Sequence, residues 1–154
     1  MAPTDVSGPS SSPNLRHSTR SADDWVSIQL RREALVRFVP RGSRVLELKA
    51  GFGHFTEVLH HLGCRVSVAD RSLAELESTR SYAAARGFAG SIEGWHQSDI
   101  VSLDGIADGA HDAVVAYGGA LSHASQRREL ALAECRRVLR PGGVLVLDVL
   151  SLWG

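Results

Sequence analysis

The chain has little cysteine, no excess of charge of either sign and no long hydrophobic run. Its two cysteines, Cys64 and Cys135, lack metal-ligand spacing and give no sign of a disulfide framework. Both fall on segments whose pattern faces a core, where a small buried thiol is the ordinary occupant. Lysine plus arginine total 17, and aspartate plus glutamate also total 17, so no overall field draws in nucleic acid or an anionic membrane surface. The pairs Arg31-Arg32 and Arg127-Arg128 fit solvated helix faces. No stretch approaches the length of a membrane span, and the N-terminus lacks the apolar segment of a signal peptide. A cytoplasmic protein is expected. His60-His61 and His96 have no partner spacing for a metal, and no internal repeat is evident.

What remains is enough for one domain. The chain has 154 residues and 44% hydrophobic content, which gives room for a single core and excludes a mostly disordered chain. Residues 1–22 are rich in serine, with Pro3, Pro9 and Pro13, and read as a flexible tail before a domain over 23–154. That domain alternates helix and strand. An amphipathic helix over Asp23 to Val39 turns Ile28, Leu35 and Val39 to one face and stops at Pro40 and Gly42. Strands are expected over Arg44 to Leu48, Arg65 to Ala69, Ser91 to Gln97, Ala113 to Tyr117 and Val144 to Leu150, the last apolar enough to be buried on both faces. Helices fit His54 to Gly63, Leu73 to Arg86 and Gln126 to Leu139, whereas Ile100 to Ala110 reads as a polar connection. Such alternation predicts an α/β fold, a Rossmann-like doubly wound sheet of mainly parallel strands with helices on both faces. Gly51, Asp70, Asp99 and Gly118 would all lie at carboxyl ends of strands, where ligands gather in these folds.

The segment Val45-Leu46-Glu47-Leu48-Lys49-Ala50-Gly51-Phe52-Gly53 is a short apolar strand followed by a glycine turn and a helix start. Unpaired N–H groups and the helix dipole suit that turn to an anion. Plain turn geometry explains the glycines equally well. Asp70 closes the next strand about 20 residues on, where a doubly wound fold places an acid against ribose hydroxyls; its other reading is a turn residue. Ser72-Leu73-Ala74-Glu75 supplies a capping box. The dinucleotide fingerprint is not completed: one register puts Thr56 at its last glycine and the other puts Lys49 at its first.

The order of Glu47, Gly51 and Gly53, continued by Asp70 and Asp99, resembles motif I and the following strands of the class I S-adenosylmethionine-dependent methyltransferases. His111 to His123 is similar to the family's fourth strand and the loop after it. Arg137-Val138-Leu139-Arg140-Pro141-Gly142-Gly143 is similar to the turn before its fifth strand. The resemblance runs from about Trp25 to the end. It implies S-adenosylmethionine as cofactor, with Glu47, Lys49, Gly51 and Gly53 around the methionine carboxylate. It places Asp70 and Arg71 at the ribose, and Asp99 and Ile100 at the adenine. Asp99 is otherwise a loop or capping residue, and Tyr117 lines the pocket or ends a strand. His123 follows the fourth strand and is a candidate general base or a solvent-exposed loop residue.

Two departures stand out. Lys49 occupies the usual first glycine of the loop, where a Cβ penalises positive φ and a long side chain interferes with the cofactor or pairs with its carboxylate. Family members usually add a sixth and a seventh strand, so the chain reads as truncated after the fifth, leaving an apolar edge open to self-association. Methyl transfer to a small-molecule acceptor is expected. A non-catalytic interaction module and a nicotinamide-dependent oxidoreductase are the alternatives.

Overall fold

Strand β1 (Arg44–Leu48) is the centre of the sheet, because Val45, Leu46, Glu47 and Leu48 are buried on both faces and need cover above and below. The computed structural model describes residues 22–150; the expected tail lies outside them, apart from Ala22. Strands β2 (Arg65–Asp70) and β4 (His111–Ala116) flank β1, with β3 (Ile92–Gln97) beyond β2 and β5 (Leu139–Leu147) beyond β4. All pairings are parallel, and the order β3-β2-β1-β4-β5 reverses between β1 and β4.

The period of two along each strand divides the core. Val45, Val66, Val68, Ala113 and Val115 face helices α1 (Ala22–Phe38), α2 (His54–His61) and α3 (Leu73–Ala85), meeting Leu35, Val39, Val58, Leu59 and Leu76. Leu46, Leu48, Val114 and Ala116 face the other way, onto Cys135 and Val138 of helix α5 (Arg128–Val138). The connection over 98–110 covers the rest of that face without a helix of its own, burying Leu103 and Ile106. Several of its backbone groups are held by side chains of α5. Arg137 donates to the carbonyls of Ile106 (2.7 Å) and Leu103 (3.0 Å), and Glu134 accepts from the Leu103 N–H (2.7 Å).

Three expectations are corrected. The helix expected from Gln126 opens as a 3₁₀ turn over Ser125–Arg127, and α5 begins at Arg128. The last strand starts earlier and stops earlier than Val144 to Leu150. Leu139 already pairs with His111 and Val144 with Ala113, so two steps along β4 match five along β5, and Pro141-Gly142-Gly143 bulge out between them. Being an edge strand, β5 has Val146 alone fully buried, not both of its faces. Finally, a short helix α4 (Ala120–His123) stands where a loop was expected, entered through Gly118 and Gly119 at φ 67° and 65°.

The turn between β1 and α2 requires glycine at one position above all. Gly53 has φ 85°, and a Cβ there would lie 3.1 Å from Thr79 Cγ2 and 3.3 Å from Tyr82 Cδ1. Gly51, at φ 58°, has open space around a Cβ. Gly53→Ala is expected to cost more stability than Gly51→Ala, because it adds a clash to a backbone cost of ~1–2 kcal/mol that both share. Urea unfolding of the two variants checks the order; equal losses would contradict the contact argument.

Candidate cofactor site

The site is assembled at the carboxyl ends of β1, β2 and β3, on the cavity side of the point where strand order reverses. Glu47 points from β1 toward α2 and is 2% exposed. The Thr56 hydroxyl donates to its Oε2 at 2.6 Å. Burial pushes the Glu47 carboxyl up from 4.5 to about 7, against the smaller opposing effect of the Thr56 bond. The residue that breaks the dinucleotide fingerprint is thus the partner of the motif's acid. A threonine inside the otherwise apolar inner stripe of α2 was the available signal.

At the end of β2, Asp70 uses one carboxylate oxygen within the chain and leaves the other unpaired. Its Oδ1 accepts from the Ser72 N–H at 2.8 Å, while Oδ2 is buried with no hydrogen-bond partner. Ser98 Oγ, just past β3, is also buried and unpartnered. Both residues line a cavity of about 320 Å³, together with Leu48, Lys49, Ala69, Arg71, Asp99, Ile100, Ala120, His123, Ala124 and Arg127. Asp99 accepts from the Val101 N–H at 3.2 Å and lies 3.6 Å from Arg127. Ser98 and Arg127 were not foreseen. Ser98 carries no motif, and Arg127 reaches the cavity because α4 folds the chain back over the strand ends.

Of the expected site residues, Lys49, Asp70, Arg71, Asp99, Ile100 and His123 come together in this cavity. His123 is exposed at the end of α4. Glu47, Gly51, Gly53 and Tyr117 lie outside its lining. Tyr117 is 5% exposed on the α1 side of the sheet, packs against Phe55 and donates its hydroxyl to the Arg31 carbonyl at 2.9 Å. Burial pushes its phenol up to about 12. Lys49 does adopt the backbone form expected to disfavour it, φ 58°, and its Nζ donates to the Gly118 carbonyl at 3.0 Å.

Asp148, just past β5, was missed entirely. It accepts from the N–H groups of Gly119 (2.7 Å) and Gly118 (3.2 Å) and pairs with Arg31 at 2.6 Å. Among the described residues no group of His, Cys, Asp and Glu could hold a metal ion, and no helix is long and apolar enough to cross a membrane.

A parallel sheet with reversed order, an acid closing its second strand and a cavity at the strand ends define a Rossmann-like domain. Within that class the chain belongs to the methyltransferase domain family, whose model matches residues 46–147, and its fold is that of the class I S-adenosylmethionine-dependent methyltransferases. It is similar to the [4+2]-cyclase SpnF, with 24% identity, a TM-score of 0.71, and coverage of 83% of this chain and 46% of that one. The PH0226 protein from Pyrococcus horikoshii OT3 is likewise similar, with 24% identity, a TM-score of 0.70, and coverage of 86% and 57%. The glycopeptide N-methyltransferase MtfA, solved with sinefungin, is similar at 26% identity and a TM-score of 0.65, with coverage of 77% and 51%. The chain thus spans about half the length of the solved structures it matches. No curated protein matches it.

The raised Glu47 carboxyl has a consequence for stability. The folded protein keeps this proton up to about pH 7, whereas an unperturbed acid releases it near 4.5. The contribution is therefore fully present below the unfolded value and is lost as pH rises through the folded one, by ~3 kcal/mol at most. Urea unfolding from about pH 5 to about pH 8 should show the parent losing stability relative to Glu47→Gln, which keeps an acceptor for Thr56. A constant difference between the two proteins would place the carboxyl in its ordinary range.

Proposed function

We propose that the chain carries the cofactor half of an S-adenosylmethionine-dependent methyltransferase that acts on a small-molecule acceptor. The observation that carries this is a cavity beyond the ends of β2 and β3 with two lining residues, Asp70 and Ser98, that each hold a buried side-chain oxygen without a hydrogen-bond partner. Buried acceptors without partners cost free energy unless a ligand donor reaches them, and ribose hydroxyls are donors of the right kind. Asp70 and Arg71 are assigned to the ribose, and Asp99 and Ile100 to the adenine edge and face. The glycine turn with Gly51 and Gly53, backed by Glu47, is assigned to the aminoacyl end.

When bound, S-adenosylmethionine supplies a methyl group already activated by its sulfonium. The protein then has to align the partners and exclude water. His123 lines the same cavity and is open to solvent, so its imidazole is placed to take a proton from an acceptor entering over α4. A second reading, a methyltransferase-like module without this chemistry, is favoured by Lys49 bonded across the loop. The [4+2]-cyclase name of one structural neighbour fits the general rule that a fold does not fix a reaction.

Asp70→Ala should weaken binding of S-adenosylhomocysteine by about 1–3 kcal/mol, since it removes the acceptor for the ribose donors. Isothermal calorimetry on both proteins measures this, and unchanged affinity would rule out the ribose assignment.

The open edge supports self-association. Strand β5 pairs on one side only among the described residues, and Val149 and Leu150 just beyond it are 67% and 57% exposed. Unprotected edges recruit other strands. Light scattering on the purified chain should find a dimer or larger species, and a monomer at high concentration would refute pairing through β5.

A further inference from the structure

Lys49 has a part that turn geometry does not require. It follows the last residue of β1 with φ 58°, a conformation that costs a residue with a Cβ. Its N–H still donates to the Ala69 carbonyl of β2 at 2.9 Å, so the backbone there is fixed. From this point the side chain reaches the Gly118 carbonyl, immediately after β4, at 3.0 Å. Since β1 and β4 are neighbours, the four-carbon stem crosses the crevice where the strand order reverses.

The acceptor end of this crossing is anchored. The Gly118 and Gly119 N–H groups are held by the Asp148 carboxylate at 3.2 and 2.7 Å, and Asp148 is held by Arg31 at 2.6 Å. Lys49 forms part of the cavity wall, together with Asp70, Ser98, Asp99 and His123. Gly51 and Gly53 are outside that lining. Lys49 is thus the cavity-wall residue that leads into the glycine turn along the chain, with its ammonium tied to Gly118.

We infer that Lys49 is a latch across the cofactor crevice and a specificity-determining residue, admitting nucleosides freely while charging aminoacyl-bearing nucleosides the loss of its bond to Gly118. This rests on the cofactor assignment proposed above. A nucleoside without an amino-acid tail fills the cavity beside the stem and leaves the ammonium in place. A ligand with the tail must lift Nζ from Gly118 before its carboxylate reaches the glycine turn. Two substitutions separate the parts of the latch: Lys49→Gly removes the stem and relaxes the backbone, and Lys49→Met keeps the stem but removes the charged donor.

Calorimetry of the full chain with adenosine and with S-adenosylhomocysteine, on the parent and both variants, tests the latch. The parent should bind the two ligands with affinities within about threefold of each other. Both variants should bind S-adenosylhomocysteine roughly fivefold to tenfold more tightly, as expected for release from one charge-assisted hydrogen bond, with adenosine changed less than about twofold. Thermal unfolding without ligand verifies that each variant is folded. Weaker S-adenosylhomocysteine binding by Lys49→Met would overturn the latch and make Lys49 a carboxylate ligand. Equal gains for both ligands, or an unchanged S-adenosylhomocysteine affinity beside normal adenosine binding, would also overturn it while leaving the cofactor assignment intact. Binding of neither ligand by any of the three folded proteins would instead overturn the cofactor assignment, and the latch with it.

Discussion

One carboxylate organises the upper side of this sheet. Asp148 is 17% exposed and gathers the Arg31 guanidinium of α1 with the N–H groups of Gly118 and Gly119. Those two glycines are bent into the left-handed region, and the turn they make launches α4 over the strand ends. Without an acceptor at that place, two N–H groups at a helix entry would face each other unpaired. The same bond ties α1 to the edge of the sheet, where Tyr117 returns the contact by donating to the Arg31 carbonyl. Removing one partner from such a cluster leaves the others poorly satisfied, so its members act together rather than as separate bonds.

The local features of the fold were legible in the sequence. Hydrophobic alternation placed β1, β2 and α3 closely, and half of the capping box forms, with Ser72 accepting from the Glu75 N–H at 3.3 Å while the Ser72 N–H goes to Asp70 instead of Glu75. These segments depend on neighbours in the chain. The misses depend on distant partners. Helix α4 needs Asp148, about thirty residues further on, and the bulge in β5 follows from its register against β4. Tyr117 could have been placed by parity, since it falls two residues beyond Val115 on the α1 face and not on the face of Val114 and Ala116.

The site was legible to a similar degree and for a similar reason. Asp70, Arg71, Asp99 and Ile100 lie at strand ends, and strand ends of a parallel sheet converge whatever the helices do. Thr56 was visible as a departure from a pattern, but its bond to Glu47 joins a strand to the next helix across the turn. Lys49 shows how far a single position departs from local preference: its φ is 58° at the start of the glycine turn, and the side chain found an acceptor in the turn after β4.

The segment over 98–110 forms one wall of the cavity through Asp99 and Ile100 and covers one face of the sheet, yet has no helix to carry its own hydrogen bonds. Two of its carbonyls and one amide are bonded by two side chains of α5, Arg137 and Glu134. The wall rests on that fork and on the two buried aliphatic side chains beneath it, Leu103 and Ile106, so a substitution in α5 reaches the cavity lining without touching the sheet.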